Sequence, residues 1–114
     1  MPKNTLLSLV FSLAAAQAVA CPTATVYKES YHGKLMANGK HYNHWAISAA
    51  SPKYPLGTIL RVRHNKSTLV LHVTDTMPKR DKCVALDLSR GAAKLLGIQD
   101  FAQVKITQLK RVPS

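Results

Sequence analysis

Acidic side chains are scarce in this sequence: five Asp and Glu stand against 16 Lys and Arg, a formal net charge of +11 over 114 residues. Such an excess points to anionic partners, among them nucleic acid, acidic lipid headgroups and an anionic cell wall. No nucleic-acid-binding fold signature accompanies the charge, so nucleic acid is not an expected partner. Glycine and proline are also few, five and six, which excludes collagenous and low-complexity chains. A hydrophobic fraction of 46% provides the apolar surface that offsets the entropy of ordering. Repeats and linker-like segments are lacking, and 114 residues suffice for one domain, not for a catalytic domain plus a recognition domain.

The longest apolar run lies between Leu6 and Ala20, broken by Ser8, Ser12 and Gln17, preceded by Lys3 and closing on Ala18-Val19-Ala20. A positive start, a short apolar middle and a small-x-small end predict a signal peptide over residues 1–20 and export to a periplasmic or extracellular location. The run is shorter than the roughly 20 residues a spanning helix needs, so no transmembrane segment is expected in the mature form. Cleavage after Ala20 would leave residues 21–114, 94 of the 114, as one domain.

Only two cysteines are present, Cys21 and Cys83. Cleavage makes Cys21 the first residue, which leaves two readings. It carries a lipid anchor, as in bacterial lipoproteins, or it pairs with Cys83 in an oxidising compartment. The even count favours the disulfide, as does Ala18 where a lipobox usually has Leu. On the chain-entropy account that bridge stabilises the fold by about 4 kcal/mol.

Along the mature chain, Thr23 to Tyr31 is rich in Thr, Val and Tyr and predicts a strand. Met36-Ala37-Asn38-Gly39 is turn chemistry, and Ala46 to Ala50 is a short apolar segment. Thr58–His64 and Ser67–Asp75 flank Asn65-Lys66 as a hairpin. Leu69, Leu71, Val73 and Asp75 share one parity, so Asp75 ends an apolar file. Val84–Leu88 is a further strand, Ser89 caps a short helix over about residues 90–96, Gly97 terminates it, and Ala102 to Arg111 is the last strand. The expectation is a mainly β fold: six short strands and one helix in a small barrel.

These segments resemble the RlpA-like double-psi β-barrels, the family of rare lipoprotein A, distantly related to expansins. The resemblance rests on Tyr31-His32-Gly33-Lys34 with Ala37-Asn38-Gly39 and on Ile47-Ser48-Ala49-Ala50 leading to Pro55-Leu56-Gly57-Thr58. It continues through Val73-Thr74-Asp75 with Pro78 to Leu86-Asp87-Leu88-Ser89-Arg90, with Ala92-Ala93 and Leu96-Gly97. It spans Ala24 to about Val104. It implies a six-stranded double-psi β-barrel and lytic cleavage of peptidoglycan glycan strands, with Asp75 at the position of the family's characteristic aspartate. In that chemistry the sugar's own 6-hydroxyl displaces the glycosidic oxygen, so one well-placed acid/base suffices. An ordinary glycosidase uses two carboxyl groups flanking the bond, and this chain offers only Glu29, Asp75, Asp81, Asp87 and Asp100.

The sequence departs from the family pattern where active members usually carry Glu, Asp and His. Lys40, Asn43 and Ser51 stand there instead. Lys40 reverses a charge, Asn43 has no carboxyl proton to transfer, and Ser51 is a poor substitute for an imidazole. Met36 also replaces a usual Thr. The resemblance therefore leaves Asp75 as the catalytic candidate, with His32, Lys40, His41, Asn43, His44, Ser51, Lys79 and Arg80 as substrate-binding candidates. A module that binds the wall without cleaving it is the rival expectation, motivated by the missing carboxylates.

Other residues have plainer readings. His41 and His44 at i, i+3 lack a third ligand at a diagnostic spacing, so neither a metal site nor any cofactor is expected. Asp87 is read as structural, at a turn or the helix start, and Asp81 as solvated loop. Tyr31, Tyr42 and Trp45 suit either sugar stacking or core packing. Lys79, Arg80 and Lys82 lie beside the loop after Asp75, and Arg61 and Arg63 share a strand face. The expected partner is peptidoglycan, met by a monomer.

Overall fold

The apolar file of Leu69, Leu71 and Val73 turns inward in the computed structural model, which describes residues 21–80 and 82–110, while Thr68, Val70 and His72 face out. The predicted signal peptide lies outside the described residues. Seven strands form one sheet: β1 (Thr23–Val26), β2 (Ala49–Ser51), β3 (Ile59–His64), β4 (Ser67–Thr76), β5 (Val84–Leu88), β6 (Phe101–Gln103) and β7 (Lys105–Lys110). Helix α1 spans Arg90–Leu96, and a 3₁₀ turn spans Glu29–Tyr31. The sheet order is β6-β1-β5-β2-β4-β3-β7.

Two departures from expectation shape the barrel. The first predicted strand stops at Val26, and Glu29–Tyr31, which the Thr-Val-Tyr composition had assigned to it, turns away as the 3₁₀ segment. The last predicted strand divides at Val104, giving seven strands where six were expected. Its first half pairs with β1 and its second with β3. The outer strands of the sheet order are thus joined through one residue, and the sheet must curl to bring them together. Val104 is buried at this corner, and its N–H donates to the Pro22 carbonyl at 3.0 Å.

The β3–β4 hairpin runs in unbroken antiparallel register from Ile59↔His72 to His64↔Ser67, with Asn65 in the left-handed region at φ 55°. Arg61 and Arg63 share its exposed face. By contrast β1 pairs with β5, and β2 with β4, in parallel, each with a register shift. These parallel crossings, one helix and predominant strand make the fold a mainly β double-psi barrel. The core is continuous through Leu60, Val62, Leu71, Val73, Leu86, Leu88 and, from α1, Ala92, Ala93 and Leu96.

Helix α1 starts and stops where sequence dictates: Ser89 Oγ accepts from the Ala92 N–H, and Gly97 closes the helix at φ 71°. Ser89 does more than cap. Its hydroxyl also donates to the Ala46 carbonyl at 2.6 Å and accepts from the Ser48 N–H at 3.1 Å, so one buried side chain holds the helix to the segment entering β2. Gly91 lies directly under that segment, and a Cβ there would overlap the Trp45 and Ala46 carbonyls. Cys21 and Cys83 form the disulfide, 62 residues apart in sequence. Of the two readings of Cys21 the structure adopts the pairing, and a sulfur so bonded carries no thioether-linked lipid.

Candidate active site

Asp75 reaches its place because β4 keeps its parity to the end of the sheet: it follows Leu71 and Val73 on the inward file, at the point where the barrel opens. Three donors hold its carboxylate. Tyr27 Oη donates to Oδ2 at 2.7 Å, and the Ala37 and Thr76 N–H groups donate to Oδ1 at 2.8 and 2.9 Å. The Ala37 bond fastens the Met36–Gly39 turn to the site across 38 residues of chain. A carboxylate gripped at both oxygens presents a fixed direction to whatever enters beside it.

Below it lies a second small apolar cluster of Tyr27, Tyr42 and Ala50, with Met36 and Met77 packed against it. The Tyr27 and Tyr42 rings stack at 4.2 Å between centroids. Burial first, and then the hydrogen bond and charge of Asp75, push the Tyr27 hydroxyl far above the ordinary phenol range. It therefore remains a proton-bearing donor to Asp75. Burial likewise pushes Tyr42 up to about 12.

The cleft over this floor measures about 550 Å³ and is lined by Tyr27, Lys28, Tyr31, Ala50, Asp75, Met77, Arg80 and Asp87, among others. Asp87, expected at a turn or the helix start, thus lines the cleft from β5, and the helix is capped by Ser89. Thr25 Oγ1 donates to its Oδ1 at 2.7 Å, and Arg80 Nη2 lies 3.9 Å from its Oδ2. Burial raises the Asp87 pKa, opposed by the Thr25 hydrogen bond and the Arg80 charge. Tyr27, Lys28 and Asp87 had no place among the sequence-derived site residues. The available signal for Asp87 was a single charge inside the apolar run Val84–Leu88.

Of the substrate-binding candidates, the structure brings only Arg80 into this cleft. Lys79 lines a separate 590 Å³ depression with Lys53, Lys82 and the disulfide. Ser51 is buried, its hydroxyl donating to the Ala85 carbonyl and accepting from the Lys53 and Tyr54 N–H groups. His44 is buried too, its Nδ1 2.8 Å from Tyr42 Oη, and burial lowers its pKa. With Trp45 it lines a 340 Å³ hollow that shares Val26, Tyr27 and Lys28 with the cleft, together with Glu29, Arg90 and Asp100. His32 Nδ1 accepts from the His44 N–H at 3.1 Å, and its ring meets Trp45 edge-on. His41 Nδ1 lies 2.8 Å from the Gly33 carbonyl. Asn43 Oδ1 accepts from the Trp45 N–H, while the exposed Lys40 donates its N–H to Asn38 Oδ1. These residues shape the loop beside the cleft. Among the aromatics, Tyr42 packs in the core, while Tyr31 and Trp45 are about half exposed and lie on the two hollows.

Comparison with known proteins agrees with this architecture. A family model described as lytic transglycolase matches residues 19–108. An uncharacterized protein of Synechocystis is 37% identical over 92 residues, covering 80% of this chain and 89% of that protein. The endolytic peptidoglycan transglycosylase RlpA of Campylobacter jejuni is 38% identical over 72 residues, covering 61% of this chain. The match spans only 26% of that longer protein. Among solved structures, the Streptomyces papain inhibitor superposes with a TM-score of 0.62 over 79% of this chain and 93% of its own, at 18% identity, a likeness of fold alone.

Proposed function

From the premise that this chain belongs to the lytic transglycolase family of double-psi barrels, we propose that it acts on peptidoglycan, cleaving glycan strands lytically with formation of 1,6-anhydro ends. The observation that carries this reading is the orientation of Asp75, gripped by Tyr27, Ala37 and Thr76 at the edge of an open cleft. Asp75 accepts the proton of the sugar's 6-hydroxyl as that oxygen attacks the anomeric carbon, and it passes a proton to the departing glycosidic oxygen, so the bond from C1 to that oxygen breaks as the bond from C1 to O6 forms. Neither an activated water nor an enzyme nucleophile takes part. Lys28 and Arg80 at the cleft wall suit the lactyl and peptide carboxylates of peptidoglycan. The Met36–Gly39 turn and the loop carrying His32, Lys40, His41, Asn43 and His44 support that wall.

The same reading assigns residues 1–20 to a signal peptide and 21–114 to the working domain. It places the domain outside the cytoplasm, where the Cys21–Cys83 disulfide persists. One observation favours the alternative of a wall-binding module without catalysis: Ser51, at a usual family acid/base position, has its hydroxyl taken up by three backbone groups.

Incubation of the disulfide-intact chain with purified sacculi, read by mass spectrometry, separates the two. The lytic reading expects 1,6-anhydro muropeptides that Asp75→Asn abolishes while sacculus binding is kept. Absence of anhydro product above the Asp75→Asn background, with binding intact, establishes the binding module instead.

A further inference from the structure

Strands β3 and β7 line no part of the cleft, yet they carry cations with no acid among them. Arg61 and Arg63 point outward from β3. The register sets Val70 and Thr68 of β4 on one side of them and Thr107 and Lys105 of β7 on the other. Residues in register across adjacent strands project to the same face, and all six are exposed. Of the chain's five acids none lies in β3 or β7, and the one in β4, Asp75, is on the inward file. Among the described residues Arg61, Arg63 and Lys105 meet no carboxylate.

The cations are closely set. Two residues along one strand separate the Arg61 and Arg63 Cα atoms by about 7 Å, and one strand spacing separates Arg63 from Lys105 by about 5 Å. Where this face meets the break between β6 and β7 there is a 270 Å³ hollow, lined by Arg63, Asn65, Gln103, Val104 and Lys105. Arg63 Nε donates to the Asn65 carbonyl at 3.0 Å. That bond holds the guanidinium in place and leaves its terminal N–H groups to fork onto a carboxylate.

The neighbours of the cations narrow the partner. Hydroxyls of Thr68 and Thr107 and amides of Asn65 and Gln103 suit a hydroxyl-rich polymer. A single-stranded nucleic acid is held on aromatic platforms, and a bilayer surface takes large apolar side chains beside the cations. The exposed aromatics Tyr31, Trp45 and Phe101 all lie on other segments, and β3, β4 and β7 expose only Val70 and Leu109 among large apolar side chains. Peptidoglycan bears its acids on every second sugar, a wider spacing than these cations offer. A uronate polymer bears one on each sugar.

We propose that the outer face of β4, β3 and β7 binds an acidic polysaccharide with a carboxylate on each sugar, and that Arg61, Arg63 and Lys105 take the carboxylates. The site stands apart from the lytic reading, since none of its residues touches the cleft.

The test is retardation of the disulfide-intact chain in native gels carrying polygalacturonate, with neutral dextran as the blank. Two triple variants of equal net charge are compared, Arg61→Gln/Arg63→Gln/Lys105→Gln and Lys53→Gln/Lys82→Gln/Lys94→Gln, with thermal melting to verify folding. The first should weaken binding by about tenfold, the sum of three exposed ion pairs, and the second should stay within about threefold of the unmodified chain. The double variant Arg61→Gln/Lys105→Gln, which keeps the Arg63 bond to the turn, should lose an intermediate amount. Added salt should release the polymer. Equal losses in the two triple variants would show that net charge alone binds, and undiminished binding by the first, or none by the unmodified chain, also overturns the proposal. Tighter binding of single-stranded DNA or phosphatidylglycerol vesicles than of polygalacturonate, lost in the first triple variant, gives the face to that partner instead.

Discussion

Strand β4 passes through two regions built on opposite rules. From Ser67 to His72 it pairs with β3 in an unbroken antiparallel ladder, with Leu71 buried beneath and Val70 and His72 outside. From Val73 to Thr76 it pairs in parallel with β2, and the register shifts between Ala49 and Ala50. The first region satisfies its backbone locally and leaves its side chains to pack. In the second, the shifted register puts two acids beside one alanine, and hydrogen bonds from distant segments converge on Asp75. The regular half is a plain packing ladder, and the candidate acids gather in the irregular half.

Four substitutions sharpen that division. The largest expected contrast is the effect of Asp75→Asn on turnover: a loss of about 10² to 10⁴ in anhydro product per folded molecule, the range for removing a general acid or base. Its chemical melting midpoint should change far less than its rate. Leu71→Ala should behave in the reverse sense. This side chain is 1% exposed, so its removal should cost about 2–5 kcal/mol in denaturant titration, with activity per folded molecule kept. If Leu71→Ala instead abolishes activity in the fully folded fraction, the two halves are not separable.

Ser89→Ala is intermediate, because Ser89 serves both α1 and the entry to β2. Losing the cap and leaving the Ser48 N–H without this acceptor should cost about 2 kcal/mol. Faster hydrogen exchange at Ser48 would show that the cleft half loosens first. The smallest effect has the opposite sign. A folded-state pKa above the unfolded value means that the native state holds the Asp87 proton more tightly. This contribution to stability is full below the unfolded pKa and is lost as pH rises through the folded one. Asp87→Asn should therefore melt higher than the unmodified chain at pH 7, and the difference should vanish as pH falls towards 3. An equal or lower melting point at pH 7 would show that Asp87 bears no burial penalty there.

How much was legible follows the same division. The hairpin, the helix with its Ser89 cap and Gly97 stop, and the inward parity of Asp75 depend on neighbours in sequence, where period and turn chemistry operate. The end of β1 at Val26 and the break at Val104 were hidden, since each answers to a partner far along the chain. Sequence proximity points Asp87 to a turn or the helix start, whereas its contacts are Thr25 and Arg80. Lys79 and Arg80 are adjacent in sequence and line different hollows.

Residue type and short-range spacing carry the charge excess, the hairpin, the capped helix and their inward faces, and the family resemblance. The tertiary structure alone decided which acids meet. Asp75 and Asp87 become neighbours of Ala50 through a parallel and an antiparallel pairing on the two edges of β2. No local pattern encodes that register, because it is set by long-range burial of the barrel core.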